Sequence, residues 1–379
     1  MSSDPDSPVC LWFHAGDQFF TALLAALNAA RTSICLECYI FAEGEPGREI
    51  REALTRAQLR GVRVQVLVDA LGSYELPTAF WEPLRRAGGS VKTFNPIALK
   101  RMWIRDHRKL VVCDNHLALI GGFNIAPEYV GDGVTRGWRD LGLSVEGLAA
   151  AQLAASFDEM FALAEFRHKF FPRLRKSTAK KIVAGPEARL LFSGPGRGLN
   201  PIKRAWRADL KNARHVRILA AYFLPSWRLR RDLIRVAKNG GRVELILAGK
   251  SDVRLSQMAG HHLYDRLLKA GVEIFEYQPQ VLHAKLLIFD DAVYTGSANL
   301  DQRSMQINYE LMLRFQDATT ARQAREIFAE NLKHSQHVDA AAWHTSRNWW
   351  QRVLQWLAWW ILVRLDPWVA RWQWRSLPK

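Results

Sequence analysis

The sequence has few acidic residues for its length, few cysteines and no long hydrophobic run. Its 379 residues contain 37 Asp and Glu against 53 Lys and Arg, which gives a formal net charge of +16. Solubility alone rarely requires so uneven a balance. A chain this basic implies an anionic partner, either a nucleic acid or an anionic membrane surface.

The missing hydrophobic run bears on how the chain meets a membrane. The longest uncharged apolar stretch of the C-terminal region, residues 353–363, has 11 residues, whereas a membrane-spanning helix needs roughly 20. The acidic N-terminal residues 1–6 are followed by no apolar run, so no secretory signal is predicted. We therefore expect a chain that does not cross the bilayer.

The four cysteines all fall in the first third of the chain: Cys10, Cys35, Cys38 and Cys113. Cys35 and Cys38 have the C-x-x-C spacing, but they lie in a predicted strand, where positions three apart face opposite sides. No second pair completes a zinc site. Buried, reduced thiols are predicted, which fits a cytosolic compartment.

The order of predicted elements indicates an α/β fold. Strands are predicted at 34–41, 62–69 and 91–94, with helices at 47–59 and 77–87 between them. The second half repeats this order at an offset of 175 to 183 residues, which indicates duplication of one α/β unit. The predicted organisation is a first half (1–164), a basic linker (165–185), a second half (186–340) and a C-terminal tail (341–379).

One motif, His-x-Lys-x4-Asp followed by Gly-x-x-Asn, occurs in both halves. Its members are His107, Lys109, Asp114, Gly121 and Asn124 in the first copy, and His283, Lys285, Asp290, Gly296 and Asn299 in the second. The apolar residues after each Lys predict a buried strand. Residues two apart on a strand share a face, so each His and Lys should point into one site.

Two such copies meeting across a pseudo-twofold axis supply the groups for phosphoryl transfer. One imidazole can attack phosphorus, while the other protonates the leaving alkoxide and then deprotonates the incoming nucleophile. The lysines and asparagines would hold the non-bridging oxygens of the phosphate. Ser297 can add a hydrogen bond, but its counterpart is Gly122, so it is not an equivalent nucleophile.

Other kinds of site fit the motif less well. A Lys two residues from each His disfavours a metal ion, because cations repel, and neither a metal nor a cofactor is expected. A Ser-His-Asp hydrolase needs a G-x-S-x-G elbow, which is absent. The glycine-rich residues 194–198 lack the Lys-Ser/Thr of a nucleotide-binding loop.

The duplicated motif resembles the phospholipase D superfamily, over roughly residues 32–309. More narrowly, residues 107–112, 120–124, 137–140, 296–304 and 308–310 resemble bacterial cardiolipin synthases of the shorter type, without N-terminal membrane helices. The resemblance implies two similar α/β halves related by a pseudo-twofold axis, with the active site between them. Gly122, where other members have Ser or Thr, is common in the synthase branch.

The resemblance also implies roles for individual residues. His107 would be the nucleophile and His283 the general acid and base, with Asp140 and Glu310 orienting the two imidazoles. Asp114 and Asp290 belong to the catalytic motif by position, but we expect them to serve the fold more than the chemistry.

The implied activity is phosphatidyl transfer from one phosphatidylglycerol to another, giving cardiolipin and glycerol. The alternatives are hydrolysis of phospholipids, a nuclease activity, which the charge would also suit, and a non-enzymatic lipid-binding scaffold. The expected partners are an anionic phospholipid membrane and phosphatidylglycerol, with no nucleic acid. Trp103, Ile104, Val281 and Leu282, which flank the motifs, are candidates for an acyl-chain entrance.

The tail is the second unusual feature, because nine of the fifteen tryptophans lie between residues 343 and 374, interleaved with arginines. This composition is typical of a segment lying in the membrane interface. The alternative is a helix packed on the protein's own surface. We expect peripheral or monotopic attachment through the tail to the cytoplasmic face of the bacterial inner membrane.

The basic linker mixes aromatic and cationic residues, as in 167–176. A solvated connection and a contact with phosphates or lipid headgroups explain this pattern equally well.

Overall fold

A computed structural model describes residues 10–96, 104–164, 180–185, 188–196 and 198–365, and contains two mixed β-sheets flanked by helices. The elements of the first half are β1 (Leu11–Phe13), α1 (Gly16–Ala29), β2 (Ser33–Cys38), α2 (Gly47–Leu59), β3 (Arg63–Asp69), α3 (Glu82–Arg86), β4 (Ser90–Phe94), β5 (Leu110–Cys113), β6 (Leu117–Gly121), β7 (Gly142–Glu146) and α4 (Leu148–Ala164). Those that follow are β8 (Lys181–Ala184), β9 (Ala188–Ser193), α5 (Pro201–Leu210), β10 (His215–Ala220), α6 (Trp227–Lys238), β11 (Arg242–Ala248), α7 (Arg254–Leu268), β12 (Glu273–Tyr277), β13 (Lys285–Phe289), β14 (Ala292–Gly296), α8 (Gln302–Gln306), β15 (Glu310–Phe315), α9 (Ala318–Lys333), β16 (Ser335–His337), α10 (Ala340–Thr345) and α11 (Trp349–Trp360).

The strand order of the two sheets confirms the predicted duplication. The first sheet runs β1-β7-β6-β5-β2-β3-β4, and the second runs β16-β12-β11-β10-β13-β14-β15-β9-β8. Read from the opposite end, the second sheet repeats the first and adds one strand at each edge. Each sheet has three parallel strands, β2-β3-β4 in the first and β10-β11-β12 in the second. The motif strand, β5 or β13, pairs antiparallel with the first of these three and begins the antiparallel part of its sheet.

The core is divided into layers of helix, sheet, helix, sheet and helix. Apolar side chains of α1, α2 and α3 cover the outer face of the first sheet, and those of α5, α6 and α7 cover the outer face of the second. Helices α4 and α9 share one cluster with the inner faces of both sheets. The two halves therefore share a core.

The four cysteines are free, and those in β2 face opposite sides as predicted. Cys35 packs in the cluster between the sheets, whereas Cys38 packs in the outer one. Burial raises the pKa of the Cys35 thiol to about 12. These thiols therefore belong to the core.

Two predicted boundaries differ from the structure. Residues Lys181–Ala184, which the sequence placed in the linker, form β8 and pair with β9 at the edge of the second sheet. Residues 165–179 of the linker lie outside the described residues. The single helix predicted over 77–87 is a 3₁₀ turn (Thr78–Trp81) followed by α3, because Pro83 has no N–H to continue an α-helical ladder.

The described part of the tail packs on the fold with one face and exposes the other. Helix α11 lies along α7, where Ala358 is buried and Trp359 contacts His262 at 5.3 Å between ring centroids. On the opposite face Trp349 is 61% exposed and Trp350 60% exposed. The alternative of a helix packed on the protein's own surface therefore describes one face of α11, and contact of the exposed face with a membrane stays a prediction. Residues 366–379 lie outside the described part of the chain.

Within the described ranges, no helix has the length and apolarity required to cross a bilayer.

Candidate active site

Backbone hydrogen bonds between the halves position the two motif histidines. His107 lies just before β5, and its N–H donates to the carbonyl of Tyr309 at 3.1 Å. His283 lies just before β13, and its N–H donates to the carbonyl of Arg139 at 2.7 Å. Tyr309 and Arg139 each precede an acidic residue. Each histidine is therefore held beside an acid of the other half.

His107 contacts Glu310 in this way. Its Nδ1 lies 3.1 Å from Oε2 of Glu310, and the same oxygen accepts a 2.6 Å hydrogen bond from Ser297 Oγ. Burial, followed by the positive charge of Lys109, lowers the pKa of His107 well below its ordinary value. The imidazole is therefore neutral at neutral pH. The carboxyl group at Nδ1 favours the tautomer that leaves the Nε2 lone pair free.

His283 has the reciprocal arrangement with Asp140. Its Nδ1 lies 2.6 Å from Oδ2 of Asp140 and 2.9 Å from Nζ of Lys285. Burial and Lys285 lower the pKa of His283, whereas Asp140 acts in the opposite direction. The contact with Asp140 therefore opposes the loss of the His283 proton.

A steric reason explains why the first copy has Gly122 where the second copy has Ser297. A Cβ atom added there would lie 2.0 Å from Oδ1 of Asp140, so the carboxylate occupies the space that a side chain would need. In the second copy Ser297 fills the equivalent position and donates to Glu310. The two acids are therefore held by different contacts.

The two motif lysines are buried beside the histidines. Nζ of Lys109 donates to the carbonyl of His107 at 2.8 Å, and Nζ of Lys285 donates to the carbonyl of His283. Burial, with a contribution from Lys285, lowers the pKa of Lys109 to about 8. Within the described ranges, neither ammonium group lies within 4.0 Å of a carboxylate. A bound anion would supply the missing charge compensation.

The motif asparagines differ in their partners. Oδ1 of Asn124 accepts from the N–H of Ile40 at 3.1 Å, while its Nδ2 donates to the hydroxyl of Tyr129 at 2.7 Å. Oδ1 of Asn299 is buried without a hydrogen-bond partner among the residues that the structure describes. Both side chains line the same cavity as the histidines.

This cavity has a volume of about 560 Å³. The polar groups on its wall include Asp252, Arg303 and Asn308, and its apolar lining includes Leu224 and Ile361. A hydroxyl-bearing headgroup and an apolar chain would both find complementary surface here.

The structure does not place Asp114 and Asp290 with the rest of the motif. Oδ1 of Asp114 accepts from the N–H of Thr32 at 2.7 Å and from Ser33 at 3.0 Å, and Asp290 accepts from the N–H of His215 at 2.8 Å. They follow the far ends of β5 and β13. These contacts tie the motif strands to the neighbouring loops, as expected for residues that serve the fold more than the chemistry.

Of the flanking apolar residues, Ile104, Val281 and Leu282 do not line the cavity. Ile104 and Leu282 are buried in the cluster between the sheets, and Trp103 lies outside the described residues. Instead, Ile361 and Leu362, at the end of α11, line the cavity.

Several cavity residues were missed at the sequence level. Tyr129 places its hydroxyl 3.4 Å from Nδ1 of His283, and Tyr39 lies 4.9 Å from His107 between ring centroids. Tyr222 donates to Asp252 at 2.7 Å. Tyr129 lies five residues after Asn124, where the second copy has Ser304, so the duplication gave no signal for it.

Among the described residues, no group of three or more His, Cys, Asp or Glu side chains is arranged to hold a metal ion.

Comparisons with solved structures show the fold. The chain is similar to phosphatidylserine synthase from Haemophilus influenzae Rd KW20, with a TM-score of 0.72, 15% identity, and coverage of 95% of this chain and 94% of the other. It is also similar to polyphosphate kinase from Porphyromonas gingivalis, with a TM-score of 0.59, 16% identity, and coverage of 88% and 49%.

Sequence comparisons identify nearer relatives. The chain is 32% identical over 341 residues to cardiolipin synthase 1 of Bacillus anthracis, covering 85% of this chain and 66% of the relative. It is 32% identical over 311 residues to cardiolipin synthase B of Salmonella typhi, covering 80% and 75%. Residues 23–161 and 207–332 match the family described as "Cardiolipin synthase, PLD-like domain". The matched segments contain both histidines with their lysines and acids, and the chain therefore belongs to this family.

Proposed function

We propose that the protein transfers a phosphatidyl group from one phosphatidylglycerol to another, making cardiolipin and releasing glycerol. One observation carries this proposal: two buried imidazoles, each held at Nδ1 by an acid of the opposite half, line one cavity, and the ammonium group of a motif lysine donates to the backbone carbonyl of each histidine. Membership of the family and the likeness to two cardiolipin synthases support the choice of lipid.

In the first step, Nε2 of His107 attacks the phosphorus of the donor lipid. The bond from phosphorus to the glycerol headgroup oxygen breaks, and His283 gives its proton to that oxygen, so glycerol leaves as a neutral alcohol. A phosphatidyl group remains covalently attached to His107. Lys109 and Lys285 offset the charge on the non-bridging oxygens, where their buried position strengthens the interaction.

In the second step, His283 acts as a base. It takes the proton of the acceptor's headgroup hydroxyl, whose oxygen attacks phosphorus and breaks the bond to His107. Cardiolipin forms, His107 regains its neutral form, and His283 is again protonated. The same residue must release and accept a proton, which suits the imidazole whose contact with Asp140 opposes its low pKa.

Transfer instead of hydrolysis requires that water be excluded and the acceptor be held close. We infer that α11 contributes to both, by lying in the interface of an anionic membrane at the cytoplasmic face. Its exposed tryptophans support membrane contact, and Ile361 and Leu362 at its end line the cavity. The active-site mouth would then open toward the lipid surface.

Incubation with phosphatidylglycerol vesicles, followed by mass spectrometry of the lipid extract, tests the proposal. We expect cardiolipin with an equal amount of free glycerol, and no product from a His107→Ala variant. Phosphatidic acid as the dominant product would make the protein a phospholipase. Cleavage of DNA without any lipid product would favour the nuclease.

A further inference from the structure

A second cavity lies between α5 and α6, on the outer face of the second sheet. Its volume is about 720 Å³, larger than that of the catalytic cavity. Its apolar lining includes Trp206, Leu229, Leu300 and Met305. We call it the α5–α6 groove. The proposed transfer reaction does not use it.

Comparison of the two halves explains why the groove exists. The buried positions Phe19, Leu23 and Leu27 of α1 correspond to Ile202, Trp206 and Leu210 of α5. This alignment places Phe20 opposite Lys203, and the Gly-x-x-Asn motifs place Phe123 opposite Ala298.

In the first half these two aromatic residues fill the corresponding space. Phe20 is 5% exposed and packs against Phe123 at 6.4 Å between ring centroids. Lys203 and Ala298 in the second half remove both rings. In the second half a cation, Lys203, which lines the groove, therefore stands where the first half has a buried aromatic ring.

The lining of the groove is strongly basic. Six cations lie along it against two carboxylates, Asp232 and Asp301; the cations are Lys203, Arg204, Arg207, Lys211, Arg228 and Arg235. Among the described residues, only Arg235 of these six makes an ion pair, with Asp232 at 3.8 Å. Burial and the neighbouring cations lower the pKa of Lys203 to about 8. Like charges gathered without partners favour an anionic ligand.

The surroundings indicate that this anion has an apolar part. Leu199, on the lining, is 79% exposed, and Trp227, beside Arg228, is 54% exposed. Helices α5 and α6 both begin at the edge of the sheet that carries the active site, since Ser193 pairs with Glu310 and Ala220 with Lys285. The end of the groove at the N-termini of α5 and α6 therefore lies on the side proposed to meet the membrane.

We propose that the α5–α6 groove binds an anionic phospholipid, with its phosphate on the basic residues and its acyl chains on the apolar lining. The site is distinct from the catalytic cavity but adjoins it, because Asp301 lines both. The occupant lies against the segment that follows Asn299. The inference rests on the proposed function in one respect: that function places the protein at the bilayer that supplies the ligand.

Photo-crosslinking of the full chain tests this site. The His107→Ala variant, which removes turnover, is mixed with phosphatidylcholine vesicles containing phosphatidylglycerol with a diazirine in its acyl chain, and labelled peptides are mapped by mass spectrometry. We expect labelling of residues 199–212 and 225–235 as well as of the catalytic cavity. Added substitutions of Lys203, Arg207 and Arg228 by Gln should reduce groove labelling about tenfold or more, because three charge contacts are lost. Labelling near Tyr39 should persist.

A matched control has the same loss of charge elsewhere: Arg31, Arg63 and Arg322, all exposed, are replaced by Gln. This control should keep groove labelling. Equal labelling by a phosphatidylcholine probe, unchanged labelling in the groove variant, or loss of labelling in millimolar inorganic phosphate would each overturn the proposal. Groove labelling in a protein whose wild type makes no cardiolipin would overturn the proposed function alone.

Discussion

Nδ1 of His107, in the first half, lies 3.1 Å from Oε2 of Glu310, in the second half. The reciprocal contact joins His283 of the second half to Asp140 of the first at 2.6 Å. Neither half alone therefore contains an imidazole with its orienting acid. The site therefore requires both halves, because each half supplies the acid that contacts the histidine of the other.

This crossing predicts that each acid acts through the histidine of the other half. Glu310→Gln should slow mainly formation of the phosphohistidine, whereas Asp140→Asn should slow both its formation and its resolution, because His283 moves a proton in both steps; each effect should be about 100-fold, because the imidazole loses its fixed orientation. Single-turnover kinetics with labelled phosphatidylglycerol separate the two steps. Ser297→Ala, which keeps Glu310 but removes its hydrogen bond from Ser297 together with the Oγ contacts to the backbone of Leu311, serves as the milder control. An Asp140→Asn variant that slows formation alone, or a Glu310→Gln variant that slows resolution alone, would contradict the crossed assignment.

The two histidines should also be separable. His107→Ala and His283→Ala should each remove nearly all turnover, but only His283→Ala should accumulate a covalent adduct, since the nucleophile remains while the proton carrier for its resolution is lost. Acid-labile label on a peptide containing His107 is the expected result. An adduct on His283 in the His107→Ala variant would reverse the roles.

The fold and the motif residues could be predicted from the sequence because both occur twice in it. Spacing shared by the two halves identified both histidines and their lysines, the family resemblance supplied the downstream acids, and strand periodicity placed Cys35 and Cys38 on opposite faces. Linear spacing did not reveal which acid meets which histidine, because this depends on how the halves pair. Tyr129 was missed because the second copy has Ser304 at its position.

The tail shows a second limit of sequence reasoning. Its composition indicated a membrane interface, yet Arg347 is buried and bonds to Gln355 at 2.9 Å, and Trp343 lies 4.8 Å from Tyr264 between ring centroids. These contacts depend on the surface of α7, which the tail sequence alone does not describe.

The lowered pKa of Lys109 predicts an alkaline limit to catalysis. With a pKa of about 8, this ammonium group loses its proton above that pH, and with it the charge that stabilises the transition state. kcat/KM, which reports the free enzyme, should therefore decline above about pH 8. Lys109→Arg, which stays charged, should move this decline to higher pH even if its activity is lower. An unchanged profile in the variant would show that another group sets the limit.

Glu310 should make stability depend on pH. Burial raises its pKa from 4.5 to about 7, so between these values the folded protein binds more protons than the unfolded chain. Its contribution to stability is therefore lost as pH rises through this window, by an amount on the order of 3 kcal/mol at most. Glu310→Gln should be more stable than the wild type at pH 8 and similar at pH 5, in urea denaturation. The exposed Glu52→Gln serves as a control, and lower stability of the Glu310 variant at pH 8 would contradict this.

The last prediction concerns the exposed face of α11. Trp349, Trp350 and Trp356 are each more than 40% exposed, so replacing them by Gln should leave the packing on α7 intact. Sedimentation with phosphatidylglycerol vesicles should weaken about tenfold or more, because each indole removed takes apolar area out of the interface. Replacing the exposed Leu59 and Leu148 by Gln provides a control that removes exposed apolar surface from the first half, and should leave binding unchanged. A short-chain, monomeric phosphatidylglycerol distinguishes attachment from chemistry, since the tail variant should turn it over at the wild-type rate while losing activity on vesicles. Equal vesicle binding by the tail variant and the control would show that another surface attaches the protein.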